Sequence, residues 1–195
     1  MQLAEPKRQA LLHRKVLKLM GNRLEITVGG VDDARATHCI DRAIGEIRRI
    51  EELLTTFKET SQTNLINQNA GVRPVQVDKE VFHLIERSLK ISSLTQGAFD
   101  ITYGSIDRRL WNFDTNMTSL PGKNIARQSV RLINYRNVIL DAQSTTVFLK
   151  EKGMRIGFGG IGKGYAAERA KFILQQKGVK SGIINAAGDL TAWGY

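Results

Sequence analysis

A glycine-rich run near the end of the sequence has the composition of a phosphate-binding turn. Residues 157–165 read GFGGIGKGY. Glycines after a strand allow positive φ and let backbone N–H groups approach a phosphate closely. A helix that starts there directs its free N–H groups and positive dipole end to the same place, and Lys163 adds a full charge. A tight strand-to-helix turn that needs glycine only for packing is the alternative interpretation.

Two general nucleotide-binding templates match this run in part. Gly157, Gly159 and Gly162 fit the G-x-G-x-x-G dinucleotide turn, and Lys163 fits the lysine of a P-loop. A P-loop has Ser or Thr after that lysine to bind magnesium, whereas Gly164 follows here. The dinucleotide turn needs an acidic residue about 20 positions on, after a second parallel strand. Neither template is complete, because the next strand runs into the sequence NAAGD at 185–189.

The first half of the chain contains the patterns of strands and amphipathic helices that would position such a turn. Alternation predicts strands at 16–20 and 24–28, joined by a turn at Gly21-Asn22. Apolar residues at three- and four-residue steps from Asp33 to Leu54 predict a long helix. The remaining elements predicted here are a short helix from Ser61, a strand at 75–77, and a helix capped by Asp78 that ends near Leu94.

The second half is richer in predicted strands. Residues 98–120 have no clean period and predict a structured loop region with one short helix. Strands are predicted at 130–134, 138–141, 146–150, 155–158, 181–185 and 190–193, with a helix from the glycine-rich run to about Lys177. The sequence has no repeat and no low-complexity linker. We therefore expect an α+β fold with a mixed sheet and packed helices, in a single region covering 1–195.

Composition narrows the classes of function without choosing one. The formal charge of +10 over 195 residues suggests an anionic partner, such as nucleic acid, acidic lipid or a phosphorylated ligand. No aromatic platform interleaves with the basic residues, as a single-strand binder would require. Cys39 is the single cysteine, which excludes an internal disulfide. No apolar stretch is long enough for a membrane-spanning helix, and residues 1–18 lack the pattern of a secretory signal.

Four ordered motifs resemble those of the FAD:protein FMN transferases, the ApbE-like proteins formerly called thiamine biosynthesis lipoproteins. The run 157–166 with 185–189 resembles the paired signature D-L-G-G-I-A-K-G-Y-A and N-A-G-G-D. Residues 19–22 resemble an early M-G-T turn, and 51–67 resemble E-x-L-L-S-x-[FY]-K-x-x-S-x-x-S-x-L-N. Residues 97–102, followed by Leu110-Trp111-Asn112-Phe113, resemble G-x-F-D-P-T and L-W-G-F. The resemblance implies a fold related to the T-fold, here without its C-terminal part.

The same resemblance implies roles for the residues at matching positions. Those expected to contact the flavin nucleotide or line its pocket are Met20, Phe57, Ala98, Phe99 and Asp100. Those expected on the pyrophosphate and metal side are Gly162, whose main-chain carbonyl would bind Mg²⁺, Lys163, Tyr165 and Asp189, which would help to order the site. Gly157 stands where many members have Asp. The remaining magnesium ligands, an Asp and a Thr further downstream, have no counterpart before Tyr195, so we expect an incomplete metal site.

Residue chemistry alone leaves simpler interpretations open for several of these positions. Phe57, Phe99 and Met20 also fit core packing, since large apolar side chains are most often buried. Asp100 also fits a turn cap. The histidines match no metal spacing, and no general base is identifiable.

The implied activity is Mg²⁺-dependent transfer of FMN from FAD to a Ser or Thr hydroxyl of a target protein, with release of AMP. The expected partners are FAD and that flavin-accepting protein, with no nucleic acid, and with membrane association only through the full-length protein. The resemblance implies a periplasmic or membrane-associated location, and a cytoplasmic one stays open because this chain shows no signal. Two alternatives remain: a module that binds or hydrolyses FAD without modifying a protein, and a basic domain that binds nucleic acid or other anions.

Overall fold

The computed structural model describes residues 11–106 and 122–194 of the chain. The chain divides into two units, with boundaries at Glu51/Glu52 and at Ile161/Gly162. We call residues 11–51 with 162–194 the four-stranded unit, and residues 52–106 with 122–161 the three-stranded unit. The single region expected from the sequence stays a prediction.

The elements follow one another in a mixed order of helices and strands. The strands are β1 (Leu12–Leu19), β2 (Asn22–Gly29), β3 (Val75–Gln76), β4 (Val138–Asp141), β5 (Thr146–Leu149), β6 (Ser181–Ala186) and β7 (Asp189–Trp193). The helices are α1 (Asp33–Leu54), α2 (Gln62–Gln68), α3 (Lys79–Leu94), α4 (Lys123–Ser129) and α5 (Gly162–Gln176), with short 3-10 helices at Ile101–Ser105 and Tyr135–Asn137.

The four-stranded unit contains an antiparallel sheet in the order β1-β2-β6-β7. Alternate residues of β2 face the core, and Ile26 pairs with Ile184 of β6, both fully buried. Burying an isoleucine side chain stabilises a fold by about 1.5–3 kcal/mol. Helix α5 packs along β6 and β7, and α1 is joined to it by an ion pair between Glu46 and Arg169 at 3.0 Å.

Helix α1 has the buried stripe that its sequence predicts. Its three- and four-residue spacing places apolar residues on one face, and the buried members are Ala36, Cys39, Ile40, Ala43, Ile44, Ile47, Ile50 and Leu54. The thiol of Cys39 lies in this stripe, which agrees with a packing role. Within the described residues, no helix is both long enough and apolar enough to cross a membrane.

The three-stranded unit has a smaller antiparallel sheet in the order β3-β5-β4. Helix α2 begins directly after Ser61, where the sequence predicts a short helix. The Ser61 hydroxyl caps it by accepting the N–H of Asn64 at 3.1 Å. Asp78 precedes α3 at the cap position but makes no capping bond, and its carboxylate accepts from Gln62 Nε2 instead.

The α+β class is confirmed, but three details of the strand prediction are wrong. All strand pairings among the described residues are antiparallel and form two sheets, in place of one mixed sheet. Residues 130–134 follow the end of α4 as a turn, because the helix continues to Ser129 and Val130 caps it. Residues 155–158 do not form a strand. The side-chain amide of Asn67 makes the hydrogen bonds to Ile156 that a neighbouring strand would otherwise make. It donates to Ile156 O at 3.1 Å and accepts Ile156 N–H at 2.8 Å.

Candidate functional site

One end of the four-stranded sheet carries two hairpin loops side by side. The pair Leu19–Asn22 closes a loop made of Met20-Gly21, and the pair Ala186–Asp189 closes a loop made of Ala187-Gly188. Leu24 of β2 pairs with Ala186 of β6, so the start of β2 and the end of β6 lie at the same end of the sheet. The predicted site residues Met20 and Asp189 therefore share this end.

Both loops have a backbone that favours glycine, although the first residue of each is not glycine. The φ angles are 51° at Met20, 74° at Gly21, 56° at Ala187 and 102° at Gly188. Positive φ at both central residues is the requirement of a type I′ turn, for which Asn-Gly is preferred. Alanine and methionine in this left-handed region each cost about 1–2 kcal/mol. Such strain is found most often at functional sites.

The N-terminus of α5 brings a positive charge to the same end of the sheet. Lys163 Nζ lies 3.9 Å from Asp189 Oδ2, and 28% of the lysine side chain is exposed. An ion pair this long and exposed contributes about 0–1 kcal/mol, so it holds the ammonium group only weakly. Tyr165 follows in the same helical turn and is half-buried. The structure thus places Met20, Lys163 and Asp189 of the predicted set at the same end of this sheet, with Lys163 and Asp189 in contact.

Gly162, the predicted source of a metal-binding carbonyl, is buried at the first position of α5. A helical carbonyl accepts one hydrogen bond from the residue four positions on and keeps a second lone pair. Within residues 11–106 and 122–194, no group of three or more His, Cys, Asp or Glu side chains is placed to hold a metal ion. A carbonyl oxygen is of the type Mg²⁺ prefers, but the ion usually takes six ligands and carboxylates among them. The Gly162 carbonyl is therefore a suitable type of ligand for Mg²⁺. The described residues offer too few further oxygen ligands to complete its coordination.

In the three-stranded unit, Asp100 braces the loop that contains the predicted residues Ala98 and Phe99. Its Oδ1 accepts the backbone N–H of Thr102 at 2.8 Å and the Thr102 hydroxyl at 2.6 Å. Its Oδ2 accepts the N–H of Tyr135 at 2.9 Å, which links this loop to the 3-10 helix at 135–137. The turn-cap interpretation of Asp100 is confirmed. A carboxylate has about four acceptor positions, so one remains for a ligand.

The glycines of the turn are needed because neighbouring side chains lie too close for a Cβ. They are not needed for a positive φ angle. Gly157, Gly159 and Gly160 do not have positive φ, contrary to our expectation. A Cβ on Gly159 would collide with the Tyr103 hydroxyl, and one on Gly160 would lie 3.1 Å from the Phe99 ring. In addition, the segment that precedes the turn is not a strand, so both general nucleotide templates lose their required strand–turn–helix context.

Phe57 lies on a loop whose backbone is held from both sides. Asn64 Nδ2 donates to the carbonyls of Thr56 at 2.9 Å and Lys58 at 2.8 Å, the residues flanking Phe57. Phe57 is nevertheless 87% exposed. The core interpretation of Phe57 is therefore wrong. An exposed aromatic ring on a fixed loop is the arrangement expected of a ligand contact or a binding surface.

Four residues that hold the loops of the three-stranded unit, or lie against them, were not singled out from the sequence. Thr102 and Tyr103 follow directly after the G-A-F-D motif, and Asn64 and Asn67 are polar residues buried in α2. Buried Asn in a short helix is a usable signal, since such residues must find hydrogen-bond partners. The motif at 110–113 lies in the part of the chain that the structure does not describe.

Solved structures with the same fold include proteins named as flavin transferases. The ApbE protein of Thermotoga maritima superimposes with a TM-score of 0.82 at 27% identity, covering 93% of this chain and 59% of that one. The flavin transferase ApbE of Vibrio cholerae superimposes with a TM-score of 0.80 at 18% identity, which shows the fold alone. The class of protein is therefore an α+β protein with the fold of flavin transferases.

The sequence comparison identifies the family. The profile of the ApbE family matches residues 20–195. A FAD:protein FMN transferase of Klebsiella pneumoniae (strain 342) is 34% identical over 176 residues, which are 90% of this chain and 54% of that protein. A second, from Treponema pallidum, is 27% identical over 153 residues. The chain belongs to the ApbE family, and it spans about half the length of the curated relatives it matches.

Proposed function

We propose that the protein is a FAD:protein FMN transferase, which moves FMN from FAD to a Ser or Thr hydroxyl of a target protein. The observation that carries this proposal is the match of residues 20–195 to the ApbE family, whose curated relatives bear that name. FAD and the flavin-accepting protein are the proposed partners.

The geometry of each unit supports this proposal separately. In the four-stranded unit, Lys163 presents a weakly held ammonium group beside Asp189, at the start of a helix. Cations and helix N-termini stabilise phosphate groups. In the three-stranded unit, Phe99 and the exposed Phe57 offer aromatic surface suited to the rings of a flavin nucleotide. Met20 and Tyr165 complete the apolar and polar contacts that we propose.

The reaction would be a displacement at phosphorus. The oxygen of the acceptor hydroxyl forms a bond to the FMN phosphorus, the bond from that phosphorus to the bridging oxygen breaks, and AMP leaves with the electron pair. The hydroxyl proton passes to solvent or to a base that we do not assign. Such a reaction depends on in-line positioning and on neutralising negative charge. Lys163 would supply part of that neutralisation, and the fixed loops would supply the positioning.

Magnesium dependence is part of the proposal. The Gly162 carbonyl would be one ligand of the ion, and the residues that the structure describes supply too few others to complete the site. A bound Mg²⁺ would supply neutralisation of negative charge. The periplasmic or membrane-associated location expected for the full-length protein is likewise proposed, and fractionation of cells that produce it would test the location.

The first test is binding of FAD by the 195-residue chain, followed by incubation with FAD, Mg²⁺ and a Thr-containing acceptor protein. We expect saturable FAD binding. Transfer would be measured as AMP release and as flavin fluorescence that stays with the acceptor under denaturing conditions. A chain that binds no FAD would contradict the proposal. Transfer by this chain would support it and would contradict our expectation of an incomplete metal site.

A pair of lysine variants on α5 sharpens this test. Lys163→Met should weaken FAD binding by about ten-fold or more, because a lost charge-assisted hydrogen bond costs about 1.5–3 kcal/mol. Lys171→Met is the matched control, since Lys171 lies on the same helix and pairs with Glu168 at 3.6 Å. Equal losses of affinity in both variants would indicate a general charge effect and would argue against a specific role for Lys163.

A further inference from the structure

The Tyr103 side chain lies directly against the glycine-rich turn. Its hydroxyl occupies the space where a Cβ of Gly159 would stand, and a Cβ on Gly157 would lie 3.5 Å from the same oxygen. Gly159 is itself exposed, and so is the neighbouring Gly160. A phenol hydroxyl and bare glycine backbone therefore share one surface of the three-stranded unit.

Hydrogen bonds join the 3-10 helix that contains Tyr103 to residues 155–157. Gly157 N–H donates to Ile101 O at 3.0 Å. The Ser105 hydroxyl donates to Arg155 O at 3.0 Å and accepts Arg155 N–H at 2.8 Å. A Cβ on Gly104 would lie 3.1 Å from the Ile156 backbone, so the two segments are also in close contact.

These contacts fix the backbone from which the Tyr103 side chain extends. The Asp100 carboxylate holds the start of the same 3-10 helix through Thr102 and Tyr135. Preorganised groups bind ligands more tightly because less freedom is lost on binding. Tyr103 is thus placed at the turn by its scaffold.

The hydroxyl of Tyr103 has hydrogen-bonding capacity to spare. The residue is 41% exposed. No group in residues 11–106 and 122–194 hydrogen-bonds to this hydroxyl. A phenol can donate one hydrogen bond and accept others. Packing against glycine explains where the ring lies. It does not explain why a phenol hydroxyl without a partner among the described residues lies beside a turn with the composition of a phosphate-binding loop.

We propose that Tyr103 is a phosphate-contacting residue, whose hydroxyl donates a hydrogen bond to a phosphate oxygen of a nucleotide bound beside the exposed Gly159 and Gly160. This inference rests on the proposed function and adds a binding residue to it. Gly159 then serves two purposes, since it admits the phenol and, with Gly160, presents exposed glycine backbone to the same phosphate.

The experiment compares the wild-type chain with Tyr103→Phe, using FAD and riboflavin as the two ligands. Riboflavin carries the same ring system and has no phosphate. The ratio of FAD affinity to riboflavin affinity should fall by about ten-fold in Tyr103→Phe, the loss typical of a hydrogen bond to a charged group. Thermal unfolding should be unchanged, since the hydroxyl makes no hydrogen bond to the described residues.

The matched control is Tyr135→Phe, which removes a phenol hydroxyl from the same unit. The ring of Tyr135 packs under Arg136 at 4.7 Å, and only its backbone N–H reaches Asp100. The affinity ratio should stay at the wild-type value in this variant. An unchanged ratio in Tyr103→Phe, or an equal loss of both ligands, would overturn the phosphate contact while leaving the proposed function intact. A wild-type chain that binds no FAD would overturn both.

Discussion

The carboxylate of Asp100 illustrates how a residue can be assigned both to a ligand pocket and to the framework around it. It accepts three hydrogen bonds, two from Thr102 and one from the N–H of Tyr135. The Thr102 hydroxyl in turn accepts the N–H of Asn134 at 2.8 Å. This network joins two loops that are more than thirty positions apart in the sequence. The observed bonds make Asp100 a bracing residue first.

Asp100→Asn should therefore destabilise the fold as well as weaken FAD binding. The amide can keep one oxygen toward Thr102, but its NH₂ group would then face the N–H of Tyr135. A buried donor left without a partner costs about 1–3 kcal/mol. Denaturant unfolding, measured with and without FAD, tests this expectation.

A second carboxylate in the same unit provides the control. Asp141 accepts the N–H of Gln143 at 2.9 Å and the Ser144 hydroxyl at 2.7 Å, and all of these groups are exposed within one turn. Asp141→Asn should have the smaller effect on unfolding. If Asp100→Asn unfolds like the wild type but loses FAD affinity, the carboxylate acts on the ligand and the bracing role is wrong.

The elements that follow a regular period were predictable from the sequence, whereas those held by side-chain hydrogen bonds were not. The stripe of α1 and the strand β2 repeat their apolar residues regularly, and both lie where expected. Residues 155–158 alternate like a strand, yet the Asn67 side chain satisfies the backbone of Ile156. A contact between residues so distant in sequence leaves no local pattern. The position of Tyr103 against Gly159 was unpredictable for the same reason.

The two hairpins at one end of the four-stranded sheet show a different limit of local pattern. Their loops, Met20-Gly21 and Ala187-Gly188, have similar φ angles although neither has the preferred Asn-Gly sequence. The pairing of strands therefore imposes a turn that the first loop residue disfavours. The Gly188 N–H donates to Asn185 Oδ1 at 3.0 Å, which helps to hold the second loop.

Ala187→Asn should stabilise the four-stranded unit. Asparagine tolerates the left-handed region better than alanine, so the change should raise the free energy of unfolding by about 0.5–1 kcal/mol. Gly188→Ala is the opposite change in the same loop and should destabilise, because its φ of 102° strains any residue with a Cβ. In urea unfolding, the midpoint of Ala187→Asn should lie above that of the wild type, and the midpoint of Gly188→Ala should lie below it. A destabilised Ala187→Asn would show that the alanine is needed for packing and is not strained.

Charge acts on the molecule as a whole, and the chain carries a formal net charge of +10. Each carboxylate that becomes protonated in acid increases this excess and the repulsion within the folded state. The basic charge alone suggested an anionic partner, and the phosphate groups of FAD, the substrate that we propose, are anions of that kind. Individual ion pairs then decide how stability varies with pH.

Glu46 is a carboxylate of α1 that joins this helix to α5 in the four-stranded unit. Arg49 binds it through two hydrogen bonds, at 2.9 and 2.8 Å, and Arg169 of α5 donates to it at 3.1 Å. Only 13% of the Glu46 side chain is exposed. The hydrogen bond from Arg49 is the largest cause that lowers the pKa of Glu46, and the bond from Arg169 adds to it against the opposing effect of burial.

A lowered pKa in the folded state means that the ionised form of Glu46 stabilises the fold. This contribution is fully present above the unfolded-state pKa, near 4.3, and is lost as the pH falls through the lower folded-state pKa. Glu46→Gln should therefore reduce the free energy of unfolding at pH 7 by about 1–2 kcal/mol, the value of charge-assisted hydrogen bonds. The two proteins should converge in stability as the pH approaches the acid limit.

Glu25→Gln is the appropriate comparison for the pH profile, because the pKa of Glu25 is also lowered, chiefly by its hydrogen bond from Arg14. That pair lies at the surface, where solvent screens it, so its removal should change stability less. Urea midpoints measured from pH 3 to pH 7 separate the two cases. A difference between Glu46→Gln and the wild type that stays constant over this range would arise from packing, and would rule out the helix-joining charge as its cause.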